Sequence, residues 1–242
     1  MEEKVAIRRT YTNKQPVWRI MKGILRPSKK ITKITYLGEE LTEKCIILAN
    51  HNNKKGPLWY DLNLPVSHAR WGAGEMLGNY KSRYHYLRDV LYIQKNQKGK
   101  GISTFKAIFE AIFSPFIYKG MRVLPTYGDA RILSTITDSI TMLEKGVAIQ
   151  IYPEDSSSGY FDVMTKFYSG FVLLAQRYYK KTGVDLPVYP MYCSLPHRHI
   201  IVGKPVYVQE LLGKGMNREQ IADLLRDMVN DIYFTYFKDK TK

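Results

Sequence analysis

Cysteine is nearly missing from this chain of 242 residues: Cys45 and Cys193 stand alone, in no metal-ligand or redox spacing. Neither a disulfide framework nor a zinc module is expected, and a reduced, intracellular protein is. Long apolar runs are missing too. The greasiest stretch, Phe105 to Tyr118, is interrupted by Lys106 and Glu110 and is too short to span a bilayer. The opening residues, Met1-Glu2-Glu3-Lys4, carry no apolar stretch of the secretory kind. Repeats, low-complexity segments and long linkers are absent. Acidic residues are scarce, 22 against 37 Lys and Arg, which leaves a net charge of +15. The 45% hydrophobic and 24% charged content belongs to a globular protein with an ample core. Aromatics reach 13%, with 19 tyrosines, and a basic, tyrosine-rich surface suits a polyanion such as nucleic acid or an anionic membrane.

The chain divides into a basic amphipathic segment, 1–30, and an α/β unit, 31–242. Between Gln15 and Leu25, the residues Val17, Trp18, Ile20, Met21, Ile24 and Leu25 share an arc of about 160° at about 100° per residue. Arg19, Lys22 and Arg26 occupy the other side, and Pro27 ends the segment. Such a helix either packs on the domain or lies in a lipid interface, apolar side among acyl chains and cations on headgroups. Beyond it, strands are expected at Ile31–Leu37, Cys45–Ala49, Arg122–Leu124, Val147–Tyr152, Pro187–Cys193 and His199–Val202. Helices are expected from Gly101 to Pro115, from Asp129 to Leu143, from Ser169 to Lys181 and from the capping-box pair Asn217 and Gln220 onward. The alternation predicts a single twisted mixed sheet covered by helices.

Two strand ends are unusually polar. The first runs Asn50-His51-Asn52-Asn53-Lys54-Lys55-Gly56 and on to Asp61. A histidine held at a strand end is suited to take a proton from an alcohol, and a carboxylate on its other nitrogen would fix its tautomer. Asp61 is the nearest candidate downstream, with Glu75 a rival, and the plainer alternative is a histidine that caps a turn. The second runs Tyr152-Pro153-Glu154-Asp155-Ser156-Ser157-Ser158-Gly159 and offers acceptors for hydroxyls and backbone N–H groups for an anion. His197 and His199 alternate on one strand face without a third ligand, and no metal is expected. His68 and His85 read as surface or hydrogen-bonded histidines. Phe105, Phe109, Phe113 and Phe116 read as core, or as the wall of an acyl-chain tunnel.

Taken in order, these segments resemble the glycerolipid acyltransferase superfamily, which contains the 1-acyl-glycerol-3-phosphate acyltransferases. Asn50-His51 with Asp61 resembles the first block of that family, Gly120-Met121-Arg122-Val123-Leu124-Pro125 the second, Tyr152-Pro153-Glu154-Asp155-Ser156-Ser157-Ser158 the third and Leu186-Pro187-Val188-Tyr189-Pro190 the fourth. The likeness spans roughly residues 31–208. It departs from the family where Gly56 takes the usual aspartate position, where the second-block arginine aligns near Thr126, and where Asp155-Ser156-Ser157 replaces Gly-Thr-Arg. A bidentate guanidinium is poorly replaced by Ser or Thr, which argues against glycerol 3-phosphate or lysophosphatidic acid as acceptor.

The resemblance implies an acyltransferase-like fold and transfer of a fatty acyl group from a thioester, acyl-CoA or acyl-carrier protein, to a lipid-like hydroxyl. It implies His51 as general base oriented by Asp61, and Arg122, Glu154, Ser156 and Ser157 at the substrate. No cofactor beyond the donor substrate is implied. Trp18, Arg19, Lys22 and Arg26 are expected on an anionic membrane, with the protein cytoplasmic and peripheral on the inner face. The alternative is an acyltransferase-like protein that has lost catalysis and binds lipid. Nucleic acid is not an expected partner, since no zinc-finger or RNA-recognition signature accompanies the charge.

Overall fold

The computed structural model describes residues 16–52 and 55–238. Gln15, where the amphipathic segment is expected to begin, and residues 1–14 of the first segment lie outside them, as do Asn53 and Lys54 of the polar loop. Eight strands among the described residues form one sheet: β1 (Lys33–Tyr36), β2 (Ile46–Ala49), β3 (His68–Ala73), β4 (Val123–Thr126), β5 (Ala148–Ile151), β6 (Pro187–Ser194), β7 (His199–Val202) and β8 (Val206–Tyr207). Their order is β1-β7-β6-β2-β5-β3-β4, with β8 pairing with β6 off this path. The five strands β6, β2, β5, β3 and β4 run parallel. Only β7 and β8 pair antiparallel with β6, so the sheet is mixed. Every residue of β2 and β5 is buried, Gln150 of β5 included, as strands covered on both faces require.

The helices are α1 (Pro16–Leu25), α2 (Gly56–Asn63), α3 (Tyr80–His85), α4 (Lys100–Gly120), α5 (Ile132–Glu144), α6 (Gly170–Thr182), α7 (Val208–Gly213) and α8 (Arg218–Tyr236). One sheet face presents Ile46, Leu48 and Ile149 to Ile140 of α5, Phe171 of α6 and Leu225 of α8. The other presents Ile47, Ala49 and Met191 to Tyr60 of α2 and to Leu64 just beyond it. The expected capping box closes the start of α8, with Asn217 and Gln220 each accepting the other's backbone N–H. Gly183 ends α6 in the left-handed region at φ 73, where a side chain would be strained.

Two of the departures from the sequence expectation shape the walls of the site. Strand β3 was not among the expected strands because His68-Ala69-Arg70-Trp71-Gly72-Ala73 has no apolar run, yet it lies between β5 and β4. Helix α4 does not end at Pro115 but continues to Gly120. Proline removes the N–H that would bond the Ala111 carbonyl, and that carbonyl instead accepts from Arg83 Nε at 2.9 Å.

Candidate active site

Parallel strands deliver their C-terminal ends to one edge of a sheet, and ligands gather in the crevice there. The ends of β2, β5, β3 and β4 open on a cavity of about 710 Å³ whose wall includes the polar side chains of His51, Glu154, Glu75 and Thr126. His51 follows β2 and is fixed on both sides. The Asn50 side chain accepts from Tyr60 Oη at 2.6 Å and from the Cys193 N–H at 2.8 Å, and donates to the Cys193 carbonyl at 3.1 Å. Asn52, at φ 47, donates to the same carbonyl at 2.8 Å. Asparagine tolerates that left-handed turn, so the chain leaves β2 sharply while both neighbours of His51 are clamped to β6. Gly56 opens α2 against the carbonyl of His51, where any Cβ would collide with the oxygen. The imidazole stacks on Tyr160 with ring centroids 4.6 Å apart and leans on Tyr152 at 4.9 Å.

Glu154 follows β5 and is buried beside it. Burial pushes its carboxyl up to about 7, against the pull of the Phe161 and His51 backbone N–H groups and of Lys95. Ser156 and Ser157 line the same cavity. Lys95 Nζ donates to Ser156 Oγ at 2.6 Å and lies 5.5 Å from the Tyr160 ring centre. Burial lowers the lysine's pKa, partly opposed by Glu154 and Asp155. Sequence reasoning missed Lys95, which ends a π-helical stretch, Tyr86–Lys95, with no motif around it. It places a cation beside Ser156 in the hydroxyl-rich loop.

A second cavity, of about 520 Å³, meets the first at His51, Trp71, Gly72, Tyr86, Tyr152 and Tyr160. Its far wall is apolar, with Leu87, Leu91, Phe109, Phe113 and Ile117. His51 therefore stands where a chamber carrying several polar side chains joins a greasier one.

Asp61 and Arg122 take other positions. Asp61 is buried and lines neither cavity. Its Oδ1 accepts from Arg70 Nη2 at 2.8 Å, its Oδ2 from Trp18 Nε1 at 2.9 Å, and Lys22 Nζ lies 3.3 Å from Oδ2. Burial alone would raise this carboxyl, but Arg70, His68, Lys22 and Trp18 hold it below its ordinary value. Arg70 also donates to the Pro57 carbonyl at 2.5 Å and to His68 Nε2 at 2.7 Å. Burial and Arg70 push His68 down to about 4. That histidine is neutral, and its contact with the Val66 carbonyl places the proton on Nδ1. The cluster ties α1 and α2 to β3, so Asp61 has a structural task in place of the expected one on His51. Arg122 donates to Ser67 Oγ and lies in neither cavity wall.

The membrane expectation for α1 is also redrawn. Trp18 is buried, its ring against Gly120, and Lys22 faces Asp61. Arg26 Nε donates to the Leu62 carbonyl at 2.8 Å, while Arg19 is exposed. The exposed side of α1 holds Val17, Ile20 and Ile24. The other histidines are engaged as well: His199 with Thr35 at 2.9 Å and His197 with Ser194 at 2.7 Å. No helix among the described residues is long and apolar enough to cross a membrane.

No protein-family model matches the chain, and no curated protein sequence does. Among solved structures, it is similar to the 1-acyl-sn-glycerophosphate (LPA) acyltransferase PlsC from Thermotoga maritima. The TM-score is 0.51 at 12% sequence identity, over 99% of this chain and 90% of that one. The two share a fold. The mixed sheet flanked by helices is thus the arrangement of that acyltransferase, which places this chain's architecture without fixing its substrates.

Proposed function

We propose that the protein transfers a fatty acyl group from a thioester, acyl-CoA or acyl-carrier protein, to a hydroxyl of a lipid or lipid-like acceptor. The observation that carries this reading is the position of His51 at the junction of a cavity that holds Glu154, Lys95 and Ser156 and a more apolar one. A thioester acyl chain fits the more apolar chamber, and a hydroxyl acceptor fits the other, beside Glu154. His51 takes the hydroxyl proton as the oxygen bonds to the thioester carbonyl carbon; the C–S bond then breaks, and the proton passes to the departing thiolate. Lys95 and Ser156 offer donors to an anionic or hydroxylated portion of the acceptor. The acceptor meets the protein at an anionic membrane surface, which the basic charge favours.

Purified protein incubated with labelled acyl-CoA or acyl-carrier protein and a total lipid extract is expected to yield an acylated lipid. His51→Ala is expected to slow that reaction by about 10² to 10⁴ while leaving the fold intact. A folded His51→Ala protein of full activity refutes the mechanism. The engagement of Asp61 by Arg70 and Trp18 favours a second reading, a lipid-binding protein of this fold without catalysis, and absence of thioester turnover with every donor would select it.

A further inference from the structure

Helix α4 is amphipathic in the inverted sense. The residues it buries are small: Ser103, Ala107, Ala111 and Ser114. Most of its large apolar residues point away from the domain, Ile117 and Tyr118 near its end being the ones that pack inward. Ile102, Phe105, Phe109, Ile112, Phe113 and Phe116 fall within about 100° of arc, opposite the buried stripe, at about 100° per residue. Phe105, Phe113 and Phe116 are 65%, 61% and 69% exposed. A surface helix of a soluble domain turns its polar side outward, and a contiguous exposed aromatic ridge marks an interaction surface.

Charge selects the partner. Lys106 and Lys119 lie at the two edges of the ridge, and the helix's one acid, Glu110, is on the inner side, hydrogen-bonded with Tyr92. A second copy docked ridge to ridge would bring lysines and no acid to the edges of the contact, whereas anionic headgroups attract them. The apolar cavity reaches the same surface, because Phe109 and Phe113 are both in its wall and exposed. The exposed Val17, Ile20 and Ile24 of α1 extend the apolar surface near the helix end, where Trp18 is seated on Gly120.

We infer that the outward ridge of α4, rather than the cationic side of α1, is the surface that docks on an anionic lipid bilayer, with the mouth of the apolar cavity facing the acyl chains. The inference extends the acyl-transfer reading by naming where lipid reaches the site, and its test is separable from turnover. The test is flotation with phosphatidylglycerol-containing vesicles, comparing the protein with the triple variant Phe105→Ser, Ile112→Ser, Phe116→Ser, whose positions line neither cavity. The protein is expected to float, less so at high salt, and the variant to lose at least about tenfold in partitioning. A Phe105→Cys variant provides a readout that keeps the ridge otherwise intact. Both native cysteines are fully buried, so an environment-sensitive dye attached to the exposed position 105 should shift to the blue when vesicles are added. Equal flotation of protein and triple variant, no flotation of the protein, or an unshifted dye overturns the inference. So does a dimer on gel filtration that the triple variant dissolves without change in vesicle binding, which would make the ridge a self-interface. A His51→Ala protein that floats but does not turn over leaves the docking surface standing, whereas turnover without flotation refutes the surface alone.

Discussion

Replacing Glu154 by glutamine isolates the effect of burying a carboxyl next to His51. The side chain is 8% exposed, and burial moves its carboxyl from 4.5 to about 7. The folded protein thus holds this proton more tightly than the unfolded chain does. The stabilisation from that proton is complete below about pH 4.5 and is lost as pH rises through about 7. A shift of that size corresponds to about 3 kcal/mol. Glutamine keeps the shape and cannot ionise, so the stability of wild type minus that of Glu154→Gln is expected to fall by about 3 kcal/mol between pH 4.5 and 8. Urea unfolding of both proteins at pH 5, 6, 7 and 8 measures it, and other titrations cancel in the difference. Parallel pH curves would refute the reasoning. In the transfer assay, an ionised Glu154 accepting from a second hydroxyl of the acceptor adds a rise through about pH 7 to the pH dependence set by the His51 base, and the glutamine variant is expected to lack that added component.

Asp61→Asn is expected to destabilise by about 3–5 kcal/mol, since it leaves the buried Arg70 guanidinium without its counter-charge. A large loss of rate at unchanged urea midpoint would instead return Asp61 to a role on His51. Gly56→Ala pushes a methyl group against the His51 carbonyl and is expected to lower turnover about 10²-fold by displacing the base; full activity in single-turnover measurements would show that the loop yields without moving the imidazole. Trp18→Ala removes a buried ring together with its hydrogen bond to Asp61 and is expected to cost about 3–5 kcal/mol, read as a lower thermal midpoint. An unchanged midpoint would mean that α1 contributes nothing to the stability of the domain.

How much could be read from the residues depended on whether local pattern and tertiary role agreed. Strands β2 and β5 are apolar but for Gln150 because both their faces are covered, so their identity was legible at once, as were His51 and Glu154 as polar residues that follow them. Strand β3 is equally central, but it carries Arg70 into a buried charge cluster and Gly72 to a cavity wall, so its sequence has the composition of a loop. Asp61 illustrates the limit of proximity along the chain. It is the nearest carboxylate downstream of the expected base, yet α2 turns it inward to Arg70 and Trp18, partners 9 and 43 residues away. Lys95 was invisible for the converse reason, reaching Ser156 across 61 residues from a π-helical stretch that no motif announces.

Helix α4 shows the same separation of pattern from environment. Its periodicity is real, and the apolar stripe was legible, but periodicity states only that one side differs from the other; it does not say which side is inside. The choice is made by size. A helix seated closely over Met76, Leu87 and Tyr92 has room only for Ala107 and Ala111 at the contact, so the phenylalanines are left outside, at the mouth of the cavity that begins at His51. A core reading of those phenylalanines would require a layer of protein over them, and none lies there among the described residues, where they are half or more exposed. What covers an apolar surface of this kind must come from outside the domain, and its flanking lysines favour a layer with negative charge at its edge.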